Sequence, residues 1–283
     1  MKTKLLFYLM LLLGLNGYSQ VVNVASGLVE PYAITIDGND LYINEATPGT
    51  VVTVDATLTN QTTSTLFANV SFLNLEMVRF GNYLYLVHED FFTTRKIVRV
   101  DATTGVSSNY ILDNAYKMVL VGNFLYFSDP QAGTVSKVDL TQPTPVVTQV
   151  VQGLINPGSL AINGNDLYIA EDGGTTIYKI DITQTNPIID VAIVGLSDVQ
   201  CIRIHNNTMY IAEFIAGKIS TADLTQTSPT AVMFVPSTEA SSMAIRGNEL
   251  FFTHFSNGEV NKIGLTPPVV IDECNALFDD FRD

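Results

Sequence analysis

A set of oxygen-bearing side chains recurs twelve residues before an aromatic residue that the chain repeats six times. The repeated aromatics stand 41 to 43 residues apart, at Tyr42, Tyr85, Tyr126, Tyr168, Tyr210 and Phe251. The residues twelve positions earlier are Glu30, Leu73, Asn114, Asn156, Asp198 and Glu239. Carboxylate and carboxamide oxygens are the ligands that Ca²⁺ takes in proteins. If six strands converge on one axis, Glu30, Asn114, Asn156 and Asp198 are candidate ligands for Ca²⁺ or another divalent cation. Ordinary turn chemistry at the strand starts is the alternative.

A second polar set follows each aromatic by three residues: Glu45, His88, Asp129, Glu171, Glu213 and His254. A carboxylate at this position is well suited to accept hydrogen bonds from the backbone N–H groups of a neighbouring turn. We therefore predict a structural brace for the acids. His88 and His254 interrupt the acidic pattern, and His88 is a candidate contact residue.

Four further residues are candidates for contact with a ligand. Glu76 and Lys117 precede their aromatics by nine residues in adjacent repeats, so they either pair inside a channel or present charge to a ligand. Phe91 and Phe92 fall in a longer turn, HEDFFTTRK. Exposed aromatic pairs are typical of contact surfaces, although a loop that folds over its own repeat is the alternative.

The repeat itself predicts the elements that would position these residues. In GLINPGSLAINGNDLYIAEDGGTTIYKID, from Gly153 to Asp181, short apolar strands are separated by Gly-Asn and Asp-Gly-Gly turns. Such a meander needs neighbours on both faces, and six phased copies supply them. The first segment, VVNVASGL, is an extra strand. We predict an all-β, six-bladed β-propeller with four antiparallel strands per blade, whose last blade is closed by the N-terminal strand.

The repeated motif also carries a family resemblance. The pattern GL followed by P-x-x-A-I-x-x-G-N-x-L-Y-I-A-E/D and K-I/V-D resembles NHL-type propellers, and LYFSD with TVSKVD is similar to the YWTD repeats. Glu30, Asn114, Asn156 and Asp198 are similar to the metal set of the SMP-30/gluconolactonase-like propellers. That resemblance implies a divalent cation and a lactone-like substrate. These families include protein-binding scaffolds and enzymes, so the likeness indicates architecture before activity.

Bulk properties divide the chain into three parts. Residues 1–19, with Lys2, Lys4 and an apolar run to Leu15, are typical of a secretory signal peptide. Residues 20–265 carry the propeller, and residues 266–283 form an acidic C-terminal tail. The apolar run is too short to span a membrane. Cys201 and Cys274 either form a disulfide or leave Cys201 as a buried thiol.

The formal net charge of −14 argues against nucleic acid as a partner, because a phosphate backbone needs a basic groove. Nucleophile-elbow, H-E-x-x-H and C-x-x-C motifs are absent from the sequence. We expect a secreted, monomeric binding module for an extracellular protein, peptide or glycan, without catalysis. The alternative is a divalent-cation-dependent hydrolase or lyase of lactone-like small substrates, with its site at the mouth of the central channel.

Overall fold

The computed structural model describes residues 20–47, 49–68, 73–90, 94–111 and 114–265. Within these residues the chain forms 24 strands, arranged in six antiparallel sheets of four strands each. The sheets follow one another around a central axis, as the blades of a six-bladed β-propeller. In the part of the chain described here, no helical segment has the length and apolar character to cross a membrane.

The first three blades are continuous in sequence. Blade 1 contains β2 (Pro31–Asp37), β3 (Asp40–Glu45), β4 (Thr50–Asp55) and β5 (Ser64–Phe67). Blade 2 contains β6 (Leu73–Phe80), β7 (Tyr83–Asp90), β8 (Thr94–Asp101) and β9 (Ser107–Ile111). Blade 3 contains β10 (Met118–Val121), β11 (Phe124–Asp129), β12 (Thr134–Asp139) and β13 (Thr148–Gln152).

The last three blades repeat this order, and the final blade takes its outer strand from the start of the chain. Blade 4 contains β14 (Pro157–Asn163), β15 (Asp166–Glu171), β16 (Ile177–Asp181) and β17 (Asp190–Ile193). Blade 5 contains β18 (Val199–His205), β19 (Thr208–Glu213), β20 (Lys218–Asp223) and β21 (Val232–Pro236). Blade 6 contains β22 (Met243–Arg246), β23 (Glu249–His254), β24 (Glu259–Gly264) and β1 (Val22–Ser26).

The ring closes where β1 pairs with β24, as the sequence predicts. The pairing is antiparallel and runs from Val22 opposite Lys262 to Ser26 opposite Glu259, with a bulge between Asn23 and Ala25. Beyond the strand, the N–H of Leu28 donates to the carbonyl of Gly258 at 3.0 Å. A Cβ on Gly258 would lie 2.2 Å from the backbone carbonyl oxygen of Leu28. Gly258 also has a φ of 65°. This close approach requires glycine.

Apolar side chains fill the spaces between blades. The second strand of blade 4, β15, is buried on both of its faces along Leu167, Tyr168, Ile169 and Ala170. Two-sided burial explains why these strands read as continuous apolar runs instead of alternating with polar residues. The hydrophobic effect therefore holds each blade against both neighbours.

The innermost strands β2, β6, β10, β14, β18 and β22 surround the axis, and serine side chains connect several of them. The Ser242 hydroxyl oxygen accepts a hydrogen bond from the backbone N–H of Ile34, at 3.2 Å. The Ser159 hydroxyl oxygen accepts one from the N–H of Ile202, at 3.0 Å. These bonds satisfy buried backbone donors that lie between sheets, where no ladder partner exists.

A repeated turn joins the third and fourth strands of the blades. In blade 4, the Asp181 carboxylate accepts hydrogen bonds from the Thr183 hydroxyl at 2.6 Å and from its N–H at 2.9 Å. Asp139 and Asp223 hold the equivalent threonines in the same way. The hydroxyl bond and then the backbone bond hold the pKa of Asp181 below its usual 3.8. The stability from this turn is present above the unfolded-state pKa and is lost as the pH falls through the lower folded-state pKa.

Replacing Asp181 by alanine tests this turn. Asp181→Ala should lower the melting temperature at pH 7, because the Thr183 donors lose their acceptor. The gap to the wild type should narrow between about pH 4 and pH 2, where the wild-type carboxylate is itself protonated. Circular dichroism melts across this range measure the gap. Asp190→Ala, on the exposed part of β17, is the control, and a gap that stays constant down to pH 2 contradicts the assignment.

Candidate functional site

The starts of the innermost strands and the turns between the second and third strands lie on one face, which we call the top face. The opposite face, with the turns between the first and second strands, is the bottom face. All four residues predicted to bind a metal lie on the top face. Their placement in the turns of this face decides what their side chains contact.

Three of the predicted metal ligands occupy left-handed backbone positions. Glu30, Asn156 and Asp198 have φ values of 51°, 42° and 51°. The carbonyls of Glu30 and Asn156 accept hydrogen bonds from the N–H groups of Ala46 and Asp172 in the same blade, at 3.1 and 2.8 Å. Asn and Asp tolerate this conformation better than most residues do, which is why turns use them. Glu30, Asn156 and Asp198 therefore occupy turn conformations directly before their strands.

The side chains of this set are hydrogen-bonded within their own blades. Glu30 accepts from the Thr47 hydroxyl at 2.7 Å, and Asp198 accepts from the Gln200 amide at 3.2 Å. The Asn114 amide donates to the Asp129 carboxylate at 3.1 Å. The Asn156 amide donates to the carbonyl of Asp172 at 2.7 Å.

No group of three or more His, Cys, Asp and Glu side chains is arranged to hold a metal ion among the residues that the structure describes. Cation binding by Glu30, Asn114, Asn156 and Asp198 stays a prediction.

Three of the four acids that follow the repeated aromatics accept backbone hydrogen bonds from turns, as predicted. Glu45 accepts a hydrogen bond from the N–H of Val29 at 2.8 Å, and Glu213 accepts one from the N–H of Ser197 at 3.0 Å. Asp129 accepts from the N–H groups of Gln131 and Ala132, within its own turn. These carboxylates fix the loops that border the top face.

Other sequence candidates have different surroundings. His88 is buried in β7 of blade 2. Cys201 is buried and has no disulfide partner within the described part of the chain, and burial raises the pKa of its thiol. Cys274, Phe91 and Phe92 lie outside the described residues, so the predictions that involve them stay predictions.

Glu76 lies in the channel and forms an ion pair across it. Its carboxylate is 3.3 Å from the guanidinium of Arg203, which belongs to the opposite blade. Arg203 also donates to the carbonyl of Ile202 at 2.9 Å. Lys117 is 1% exposed, and its ammonium lies 5.4 Å from the ring centre of Tyr32 and 5.5 Å from that of Tyr116. The Glu76 carboxylate is thus within ion-pair distance of Arg203, and the Lys117 ammonium is within cation–π distance of two tyrosine rings.

Aromatic and charged side chains from five blades surround the top opening of the channel. The rings of Phe214 and Phe255 meet edge to face at 6.2 Å, and those of Tyr32 and Phe255 meet at 6.1 Å. Lys117 joins Tyr32 to Tyr116. We call the complete set the mouth ring: Tyr32, Tyr116, Lys117, Asp172, Asp198, Phe214 and Phe255. Tyr32, Phe214 and Phe255 are half-buried, so each keeps part of its ring accessible.

Asp172 is the polar centre of the mouth ring. The Tyr116 hydroxyl donates to its carboxylate at 3.0 Å. Burial raises the pKa of Asp172, and the nearby Asp198 carboxylate adds to this, whereas the Tyr116 hydrogen bond, Lys117 and Arg95 oppose it. A carboxyl group with a raised pKa in an opening is a common property of functional sites.

Arg95 extends the mouth ring toward blade 2. Its guanidinium lies 4.6 Å from the ring centre of Tyr116, a cation–π distance, and 3.5 Å from the Glu89 carboxylate. The hairpin of β7 and β8 in blade 2 thereby contacts Tyr116, which donates the hydrogen bond to Asp172.

Exposed aliphatic side chains lie on the same face, outside the mouth ring. We call them the apolar rim, and their exposed fractions range from 47% to 80%: Val29, Ile155, Val194 and Ile215. Val29 and Ile155 lie two residues before the innermost strands β2 and β14, Val194 directly follows the outer strand β17, and Ile215 lies in the turn between β19 and β20. These exposed apolar side chains are available for contact with a partner on the top face.

The mouth ring was missed in the sequence, although the repeat contains its signal. Tyr32 and Tyr116 both precede their repeated aromatic by ten residues. Asp172, Phe214 and Phe255 all follow theirs by four residues, directly after Glu171, Glu213 and His254. Aligning these two positions across the six repeats would have grouped them.

Comparisons with known proteins identify the fold alone. No protein-family model matches the chain, and no curated protein matches it in sequence. Among solved structures, a gluconolactonase from Xanthomonas campestris superposes with a TM-score of 0.71 at 12% identity, over 88% of this chain and 90% of that one. A nidogen/laminin complex gives 0.63 at 12% identity, over 76% and 84% of the two chains. Virginiamycin B lyase from Staphylococcus aureus gives 0.59 at 16% identity, over 89% of each chain.

Removing the Tyr116 hydroxyl tests the polar centre of the mouth ring. Tyr116→Phe should raise the pKa of Asp172 further, because the hydrogen bond to the ionised carboxylate is lost while burial remains. Carbon-detected NMR of the Asp172 carboxyl during a pH titration measures this value. Tyr210→Phe, at a buried tyrosine of blade 5, is the matched control. A titration of Asp172 that is unchanged or shifted downward in Tyr116→Phe contradicts the assignment.

Proposed function

We propose that the protein is an extracellular binding module that holds a protein or peptide partner on its top face without catalysis. The observation that carries this proposal is the run of accessible aromatic rings at the channel opening, from Tyr32 through Phe255 to Phe214. Partly buried aromatic side chains near the centre of a surface are the usual energetic anchors of protein interfaces. The predicted signal peptide at residues 1–19 supports an extracellular location.

The apolar rim favours a protein partner over a glycan. Sugars stack on aromatic rings, but their hydroxyl groups gain little from Val29, Ile155, Val194 or Ile215, which need apolar atoms opposite them. A polypeptide supplies such atoms. The surrounding residues also exclude water from the anchors, as the periphery of a protein interface does.

The charge of the chain indicates which partners approach fastest. A formal net charge of −14 repels acidic macromolecules and steers basic ones toward the surface. Because the loops of the top face are braced by Glu45 and Glu213, the site is preorganised. Less conformational entropy is then lost on binding.

Replacing two aromatic anchors tests the proposal. Immobilised wild-type protein and the double variant Phe214→Ser/Phe255→Ser are exposed to the extracellular medium of the producing cells. Captured proteins are then quantified by mass spectrometry. Recovery of the partner should fall at least about tenfold in the double variant, as expected for the loss of central anchors.

Met233→Ser, which changes an exposed residue of β21 away from the top face, is the matched control and should capture as the wild type does. Equal recovery by the wild type and the double variant excludes the mouth ring as the interface. Circular dichroism confirms that both variants are folded.

The second candidate is a hydrolase or lyase of lactone-like small substrates, and the raised pKa of Asp172 favours it. Similar folds occur in a gluconolactonase and in virginiamycin B lyase. Glu30, Asn114, Asn156 and Asp198 would supply oxygen ligands for a Ca²⁺-like cation, which would polarise a carbonyl group.

Calcium titration tests this candidate. If Ca²⁺ binds the folded state, a concentration one hundred times its Kd stabilises the protein by about 2.7 kcal/mol, so the melting temperature rises. Asp198→Asn keeps a residue that tolerates the left-handed backbone but removes a charged ligand, and it should abolish the rise. If the melting temperature of the wild type does not respond to Ca²⁺, a Ca²⁺-dependent hydrolase or lyase is excluded. Glucono-lactone hydrolysis, followed by pH-stat, measures the activity itself.

A further inference from the structure

The lower part of the central channel contains a cavity that belongs to neither the mouth ring nor the apolar rim. Its volume is about 160 Å³. Innermost strands of five blades supply its lining, which includes Thr35, Met77, Val78, Met118, Arg203 and Met243. We call this cavity the funnel.

The burial of the lining residues shows which end of the funnel is open. The lining residues nearest the top face are buried: Met77, Met118 and Met243 are 0% to 1% exposed. Thr35 and Val78 follow nearer the bottom turns and are part-exposed. The funnel therefore opens toward the bottom face, and we call the three buried methionines at its deep end the methionine floor.

Arg203 is the one charged residue among those that line the funnel. Its side chain keeps 21% of its surface accessible although it lies at the centre of the ring. The guanidinium donates to the carbonyl of Ile202 and to the carboxylate of Glu76. Because a guanidinium has five N–H donors, these two bonds leave donors for a further acceptor.

We propose that the funnel binds a small monocarboxylate with an apolar body, whose carboxylate accepts hydrogen bonds from Arg203 and whose body packs on the methionine floor. A guanidinium matches the geometry of a carboxylate, and an apolar cavity of similar size, about 150 Å³, holds a benzene ring. Flexible methionine side chains adapt to the shape of such a body. The ligand class is therefore an aliphatic or single-ring carboxylate of about six to nine non-hydrogen atoms, within the size that the cavity allows.

This site is independent of the proposed function. The funnel opens on the bottom face, whereas the mouth ring lies at the other end of the axis, beyond the methionine floor and the Glu76–Arg203 pair. Loss of partner capture at the top face and loss of carboxylate binding in the funnel are therefore separate results.

Benzoate is the probe, and benzyl alcohol is its uncharged counterpart. Isothermal titration calorimetry of the full chain should give a Kd for benzoate of about 0.1 to 1 mM, typical of an efficient ligand of this size. Benzyl alcohol should bind at least about tenfold more weakly, because it lacks the carboxylate that Arg203 holds. In NMR spectra, the Arg203 Nε–H signal should move during the benzoate titration.

Two variants separate the parts of the site. Thr35→Phe fills the funnel without touching the ion pair and should reduce benzoate affinity at least about tenfold. The double variant Glu76→Gln/Arg203→Met removes the anchor without leaving a buried carboxylate unpaired, and it should bind benzoate and benzyl alcohol alike. Met233→Ser, on the outer strand β21, should bind benzoate as the wild type does.

Three results would overturn the proposal. One is the absence of benzoate binding below about 10 mM, far above the affinity expected for a matched site. Another is equal affinity of the wild type for benzoate and benzyl alcohol. The third is undiminished benzoate binding by Thr35→Phe in a sample whose melting curve shows a folded protein.

Discussion

The pairing of β1 with β24 is the constraint on which the rest of the structure depends. Strands such as β15 are buried on both faces, so every blade needs a neighbour on each side. In an open array the first and last blades would expose such faces to water. Closure by the N-terminal strand removes both exposed ends at once. The geometry of the ring then brings Tyr32 in blade 1 against Phe255 in blade 6, although 223 positions separate them in the sequence. The mouth ring is therefore a product of closure as much as of its own residues.

Charged side chains lie across the middle of the channel and separate its top opening from its bottom opening, which differ in chemistry. Glu76 and Arg203 meet across the centre from opposite blades, and Lys117 lies between the rings of Tyr32 and Tyr116. A buried ion pair of this kind adds little stability, because the cost of removing two charges from water offsets their attraction. It does fix which side chains meet at the centre. Above the pair the channel is aromatic and acidic, and below it the walls are aliphatic.

The sequence predicted the parts of the fold that depend on local pattern. Repeated aromatics placed the strands. Gly-Asn pairs, with an Asn-Asn pair in blade 5, placed the first turn of each blade. Glu45 and Glu213 were predicted as braces because a carboxylate at that spacing suits backbone donors. Contacts between blades could not be predicted in the same way. Nothing near Glu76 in the sequence indicates Arg203, since their meeting depends on both residues facing the axis from opposite blades. Phe214 and Phe255 read as ordinary turn residues until the ring brings two turns together. The resemblance to metal-binding propellers emphasised side-chain oxygens, and it gave no sign that Asn156 and Glu30 occupy left-handed backbone positions in turns.

Within this chain, structural and functional demands fall on neighbouring positions of the same repeat. The third residue after each repeated aromatic includes the braces Glu45, Asp129 and Glu213, and these accept backbone hydrogen bonds that a turn needs. The fourth residue differs from blade to blade: Ala46, Glu89, Pro130, Asp172, Phe214 and Phe255. Because Glu213 fixes its turn, Phe214 is presented toward the channel opening at little cost in conformational entropy. A rigid ring thus exposes a variable position beside one that is structural in Glu45, Asp129 and Glu213, which is an arrangement suited to a binding face.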